Sequence, residues 1–370
     1  MRTLTLFSRA WLPGVILALV PVMANASDNS FIGPLGKINK VTSTVPANGD
    51  VNPYGVAVVP STTGSLVRGH VLVSNFNAKS NLQGTGTTIM DIAPNGTVKM
   101  FAKIGPKLPG PCPGGIGLTT ALVVLRTGWV IVGSLPTSDG TAATAQAGCL
   151  LVLNSMGRVV ETFSGSFNGV RINGPWDMTA FDLGSVAEIF VSNVLNGTVA
   201  ANGSVVNRGT VVRILLFIPN HGMPQELERT AVGSGFGERT DPAALVIGPT
   251  GVGLGTDGTL YVADTLANRI AAIPNALSRF GSSGTGKTVS VAGALNGPLG
   301  LAVAPNGDIL TVNAGDGNMV ETTIGGSQAA VKAVDTSAQG AGTLFGLAIT
   351  LNGKGVYFVD DGDNSLDLLH

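Results

Sequence analysis

Residues 281–288 read GSSGTGKT and fit the phosphate-loop pattern G-x-x-x-x-G-K-[ST]. In a working phosphate loop, backbone N–H groups cradle the phosphates, the lysine adds a cation, and a helix opens behind the loop. Here Lys287-Thr288-Val289-Ser290-Val291 alternates as a strand would, and Gly293, Gly297 and Pro298 follow at once. With no helix to supply the N–H groups, the stretch predicts a Gly/Ser hairpin loop and no nucleotide site at Lys287.

Other chemistry is sparse. The histidines are His70, His221 and His370, too few and too scattered for a zinc centre of several histidines. No G-x-S-x-G nucleophile elbow occurs, and no catalytic residue is assigned. The polar groups best placed to act together are Asn52, Asn173, Asp177, Asp264, Asn313 and Asp360. Their oxygens, converging on one point, could bind a ligand or hold Ca²⁺ or a similar hard cation. The same residue types beside a strand also cap turns through their own side chains. Which role they take depends on the elements that carry them.

Those elements come from a repeat. Its clearest copy is GPTGVGLGTDGTLYVADTLANRIAAI, residues 248–273. Others are NGPLGLAVAPNGDILTVNAGDGNMVETTI from 296 and GTLFGLAITLNGKGVYFVDDGDNSLDLL from 342. Looser copies start at Asn52, Gly114 and Asn173, which makes six. Each copy has a Gly/Pro entry loop, a short strand of small apolar residues, and a tight Asn-Gly or Asp-Gly turn that signals a hairpin. A β-rich strand, a polar loop and one or two further strands follow. A recurring four-stranded unit that cannot bury its own faces stacks radially, as the blades of a propeller do. The expected fold is therefore all-β: a six-bladed propeller of four-stranded antiparallel blades.

The chain here resembles the NHL-repeat propellers, whose repeat reads P-x-G-[IV]-A-x-x-x-x-G-x-[IVL]-[YF]-V-[AS]-D-x-x-N-x-R-[IV]. Residues 258–270, GTLYVADTLANRI, match its second half nearly residue for residue, and residues 298–308, PLGLAVAPNGD, match its first. Related six-bladed families include gluconolactonase-like hydrolases, strictosidine-synthase-like proteins, streptogramin lyases and peptidyl-hydroxyglycine lyases. In the gluconolactonase-like enzymes Glu, Asn and Asp hold a metal near the axis. No residue-by-residue match to those ligands is found, so none is carried over.

The last copy ends after three strands. An unassigned strand at 37–45, KINKVTSTV, is expected to complete that blade and close the ring. If each inner strand runs from the top face downward, the entry loops and the loops after the second strand share the top. The tight turns and the loops between third and fourth strands then lie at the bottom. The six candidate residues fall on the top face. So do three long loops, 75–86, 134–148 and 193–209, rich in Asn, Gly, Thr and Ala. Loops of this length in a compact repeat are often functional.

The N-terminus reads MRTLTLFSRAWLPGVILALVPVMANA. Arg2 and Arg9 precede a short apolar run, and Ala24-Asn25-Ala26 is a small-x-small cleavage site, so residues 1–26 are expected to be a secretory signal peptide. Residues 27–370 would then form one domain, secreted or periplasmic. The chain carries 21 basic and 22 acidic residues, and loss of the leader removes two arginines, so no basic field for nucleic acid arises. No later segment is apolar enough to span a membrane. Export permits a disulfide between the two cysteines, Cys112 and Cys149, although two buried thiols fit the spacing as well. The expected function is that of a monomeric binding or scaffold module whose top face takes a peptide, a polysaccharide or a small ligand. The alternative is a metal-dependent lactonase or lyase of the resembled kinds.

Overall fold

The computed structural model describes residues 29–337 and 342–370. The expected signal peptide lies outside them. Six antiparallel sheets are arranged as the blades of a propeller. The innermost strands are Val51–Val58, Leu118–Val124, Pro175–Asp182, Pro249–Leu254, Pro298–Val303 and Leu344–Ile349. Each packs against the next, and the last packs against the first, so the ring is closed.

Burial follows position in the blade. Middle strands have neighbours on both faces, so Val71–Asn77 and Cys149–Leu153 are buried along their whole length. This explains their continuous apolar runs where a one-sided sheet would alternate. Outer strands such as Lys287–Val291 and Gln328–Ala333 face water and carry charged and small residues. Apolar cores fill the spaces between blades. Ala121, Ile131, Leu150 and Val152 of blade two meet Ile189, Val191, Val212 and Ile214 of blade three in one such cluster.

The first hairpins turn where the sequence signals them. Gly258 and Gly307 sit at φ +79° and +90°, a conformation that a Cβ disfavours. Closure also follows the sequence expectation. Ile38–Ser43 pairs antiparallel with Ser365–Leu369 and supplies the outer strand of blade six. Lys37 and His370 exchange backbone hydrogen bonds of 3.0 and 2.9 Å beside this pairing. Just upstream, Phe31 and Ile32 donate their N–H groups to the Glu321 carboxylate at 2.6 and 2.8 Å, which ties the N-terminal segment to blade five.

Blades two and three depart from four strands. Val170–Ile172 adds a fifth strand to blade two, and Leu245–Ile247 adds one to blade three. The outer strands of these blades are long, at 9 and 17 residues, and the chain folds back on their free edges before entering the next blade. In blade two the fold-back is an Asn168-Gly169 turn with both residues at positive φ, the geometry of a tight hairpin turn.

Cys112 and Cys149 form a disulfide, with Cα atoms 5.2 Å apart. Residues 281–286 end the connection between the third and fourth strands of blade four, Arg269–Ile273 and Lys287–Val291, and the lysine begins a strand. The loop also leans on blade three: Ser283 donates its N–H to the Val232 carbonyl, and Ser234 donates to that of Gly284. Its backbone groups are thus used within the fold. No helix among the described residues is long and apolar enough to cross a membrane.

Candidate functional site

The axis is closed at the top. Tyr54 stacks on Phe76 and on Phe345, with centroids 4.5 and 3.7 Å apart, and Trp176 lies 6.4 Å from Phe345. These rings come from blades one, three and six, and Leu299 of blade five joins them. Leu245 and Val246, on the fifth strand of blade three, cover the cluster, and the Val246 carbonyl accepts the Trp176 indole N–H at 3.2 Å.

The long top loops complete the lid. Gln83 of blade one donates to the Pro242 carbonyl at 2.9 Å, and Thr137 of blade two donates its N–H to the Gly84 carbonyl at 3.1 Å. The short helices at Ala142–Thr144 and Thr198–Ala201 pack together. These loops therefore do not surround an open mouth, as the sequence led one to expect. They seal it, leaving a depression of about 420 Å³ lined by residues such as Ala142, Val199, Asn202 and Pro242.

The six candidate polar residues are spread around the ring, and among the described residues no hydrogen bond joins any two of them. Asn52 donates its backbone N–H to Asn364 Oδ1. Asn173 Nδ2 donates to the Leu195 carbonyl at 2.6 Å. Asp264 Oδ2 accepts from Arg269 Nε at 2.8 Å. Asn313 Oδ1 accepts the Asn296 N–H at 3.1 Å, and Asp360 Oδ1 accepts that of Gly362 at 2.9 Å. Each thus fixes a loop of its own blade or clips two blades together. Asn75, Ser134 and Asn193 stand at corresponding strand ends and do similar work. Ser134 Oγ, for one, accepts the Gly117 N–H and donates to the Gly115 carbonyl.

Asp177 is the exception. It does not lie on the top surface but beneath the aromatic lid, on the wall of the axial channel. Four of the inner strands have glycine at the corresponding place: Gly55, Gly251, Gly300 and Gly346. The strands approach so closely there that a Cβ on Gly300 would meet the Phe345 carbonyl oxygen at 1.9 Å, and one on Gly346 the Tyr54 oxygen at 2.3 Å. Between blades three and four that space is taken by a carboxyl group. Asp177 Oδ2 accepts the Val252 N–H of blade four at 3.2 Å. Burial pushes its pKa up to about 8, and the N–H groups of Met178 and Val252 only partly oppose the shift.

The channel has a volume of about 320 Å³ and is lined mainly by Val, Ala, Leu and Gly. Its lower wall is half-exposed at Val58, Ala180, Leu254 and Val303, so it opens at the bottom face. Thr120 faces both the channel and the small space under the lid, and its Oγ1 is buried without a partner among the described residues. The site is thus a blind tube walled by small apolar residues whose exposed surface is nonetheless mostly polar, with the Asp177 carboxyl and the free Thr120 hydroxyl near its closed end. At neutral pH the carboxyl is substantially protonated and can donate a hydrogen bond.

The axial metal of the resembled enzymes does not fit these donors. A hard cation takes six to eight oxygen ligands. Asp177 is the one carboxylate among the described residues lining the channel, and one of its oxygens already faces an N–H donor. No group of three or more His, Cys, Asp or Glu among the described residues could hold a metal ion. Of the histidines, His70 Nδ1 lies 2.7 Å from Asp91 Oδ1 and His370 Nε2 lies 2.8 Å from Asn39 Nδ2, while His221 is exposed at the bottom face.

No family model matches the sequence, and no curated protein matches it. Solved structures do match in fold. A gluconolactonase from Xanthomonas campestris superposes with a TM-score of 0.56 at 14% identity, over 90% of this chain and 89% of that one. The PQQ-bound aldose sugar dehydrogenase of Streptomyces coelicolor gives 0.51 at 15% identity, over 90% and 98%. A streptogramin B lyase gives 0.49 at 15% identity, over 90% and 97%. The first two of these likenesses agree with the propeller fold of the six sheets.

Proposed function

We propose that the chain is an exported ligand-binding propeller whose site is the lower axial channel, and that its ligand is a small uncharged molecule carrying a hydrogen-bond acceptor. The observation that carries this reading is Asp177, a carboxyl in place of a glycine at the blind end of an enclosed tube. A concave site in which a few polar groups converge is the usual form of a small-molecule site. Protonated Asp177 and the Thr120 hydroxyl would fix the acceptor, while the lack of any Lys, Arg or Glu among the described lining residues would disfavour a charged ligand. Thermal-shift and calorimetric screening of the protein lacking residues 1–26, with small neutral lactones, amides and sugars, tests this. Binding should be lost in Asp177→Leu and weakened in Thr120→Val. Ligands that bind both variants as tightly as the parent would sink the channel as the site. The placement outside the cytoplasm rests on the N-terminal pattern, and N-terminal sequencing of the protein from culture fluid or periplasm checks cleavage before Ser27.

A second reading, a lactonase or lyase, draws on the names of the fold neighbours, which include a gluconolactonase and a streptogramin B lyase. Asp177 also favours it, because a carboxyl that titrates near neutrality can serve as a general acid. The donor set supports no metal step, so activity of this kind would depend on Asp177 itself. Lactone hydrolysis followed at constant pH, with Asp177→Asn as control, distinguishes the two. Turnover that the substitution abolishes supports the enzyme, and binding without turnover supports the binding protein.

A further inference from the structure

A second recess lies on the bottom face, between blades two and three. It is a groove of about 670 Å³, bounded by the first hairpin turns of both blades and by their turns between third and fourth strands. It falls within the size range of small-molecule sites, about 300–1,000 Å³. It is independent of the axial channel, shares no lining residue with it, and opens on the same face.

The chemistry of its walls is narrow. Trp129 is half-buried, packed on one side against the core between the two blades and lining the groove with the rest of its surface. Around it stand Asn154, Ser155, Ser185, Asn220 and His221. Among the described residues, the Trp129 indole N–H, the side chains of Ser155, Ser185 and Asn220, and the His221 ring have no hydrogen-bond partner. Asn154 uses its Oδ1 to accept the Met156 and Arg158 N–H groups, which leaves its amide NH₂ free. No residue lining the groove is Lys, Arg, Asp or Glu.

A half-buried indole among unused neutral donors and acceptors, with no Lys, Arg, Asp or Glu among the lining residues, suits one ligand class above others. A pyranose ring lays the C–H bonds of one face flat on an indole while its hydroxyls, each both donor and acceptor, engage amides and hydroxyls around the edge. A phosphate or an acidic sugar would find no cation here. A basic peptide would find no carboxylate, and a lipid chain would leave the polar rim unpaired at a desolvation cost. We infer that this groove is a binding site for a neutral oligosaccharide chain, with Trp129 as the stacking platform.

The test uses the protein lacking residues 1–26. The whole sequence has three tryptophans, one of them Trp11 in the leader. Trp176 is buried in the aromatic lid, so solvent-accessible indole fluorescence reports Trp129. Titration with neutral cello-, malto-, xylo- and chito-oligosaccharides is expected to perturb that fluorescence and give saturable binding by calorimetry for at least one series. Trp129→Ala should weaken binding at least tenfold. Because Trp129 is partly in the core, Asn220→Ala and His221→Ala, both at exposed positions, serve as variants that keep the fold, checked by thermal melting. Each should weaken binding several-fold, while Lys287→Ala, on the outer strand of blade four, should leave it unchanged. If no neutral oligosaccharide binds at millimolar concentration, the inference is wrong. It is equally wrong if binding survives all three groove variants, or if a charged saccharide binds more tightly than its neutral counterpart.

Discussion

Asn364 of the last blade holds the first. Its side-chain Oδ1 accepts the backbone N–H of Asn52 at 2.8 Å, across 312 positions of sequence. The same device joins blades four and five, where Asn268 Oδ1 accepts the Gly297 N–H at 2.8 Å. Both asparagines adopt positive φ, 51° and 48°. Asparagine tolerates that conformation better than other residues with a Cβ. The asparagine that ends the loop after the second strand thus turns its own loop and clips the neighbouring blade.

Two substitutions separate those roles. Asn364→Ala loses both the hydrogen bond and the tolerated backbone, and is expected to cost about 1–3 kcal/mol of stability. Asn364→Gly keeps the backbone and loses only the bond, so it should cost less. Urea denaturation of the two variants decides: equal costs would remove the conformational argument, and no cost in either would remove the clip.

Asp177 makes stability fall as pH rises. Its pKa in the fold is about 8 against an ordinary value of 3.8. Between these pH values the folded chain therefore holds a proton that the unfolded chain has released, and stability declines across that window. Asp177→Asn removes the titration. It should flatten the Tm-against-pH profile between about pH 4 and 8 and stabilise the protein at pH 8 by roughly 3–4 kcal/mol relative to its effect at pH 5. A profile unchanged in slope would mean that the carboxyl is solvated through the channel.

Reduction should weaken blade two selectively. The disulfide spans a sequence separation of 37 residues. The chain-entropy model gives such a closure about 3–4 kcal/mol. Melting with and without reductant, repeated on Cys112→Ser/Cys149→Ser, is expected to show a lower Tm in both cases. A double variant as stable as the parent would show that the bridge contributes nothing to the native fold.

Nucleotide binding should be absent. Lys287 begins a strand, and the loop ahead of it uses backbone groups of Ser283 and Gly284 on blade three. ATP or GTP up to millimolar concentration should leave the melting curve of the protein and of Lys287→Ala the same. Micromolar binding that depends on Lys287 would overturn this assignment.

The fold was legible because its determinants are local and repeated. Residues 258–270 contain the turn at Gly258, the middle strand Leu260–Asp264, the loop asparagine and the start of the third strand at Arg269. The top of the axis was not legible. Tyr54, Trp176 and Phe345 each read as one apolar residue in an inner strand, and their stacking exists only once three distant blades are brought into a ring. The fifth strand at Leu245–Ile247 depends on the length of the strand it folds against, which no local signal sets. Asp177 was half visible. Aligning the copies PYG, PTG, PLG and LFG against PWD shows a carboxylate where close approach elsewhere demands glycine, but not which way its side chain points. Trp129 and His221 sit in turns of different blades, and their shared groove is a product of packing alone.

The pairing that closes blade six has a consequence for how the chain can be rewired. Lys37 and His370 are hydrogen-bonded neighbours, so a short linker could join them without disturbing a strand, at the loss of the Phe31 and Ile32 contacts to Glu321. New termini could then be opened at an exposed hairpin such as Thr256-Asp257, since surface turns are where circular permutation is best tolerated. Permutants opened at different hairpins should form the same ring. Which blade comes first is a property of the polypeptide's connectivity and not of the ring's geometry.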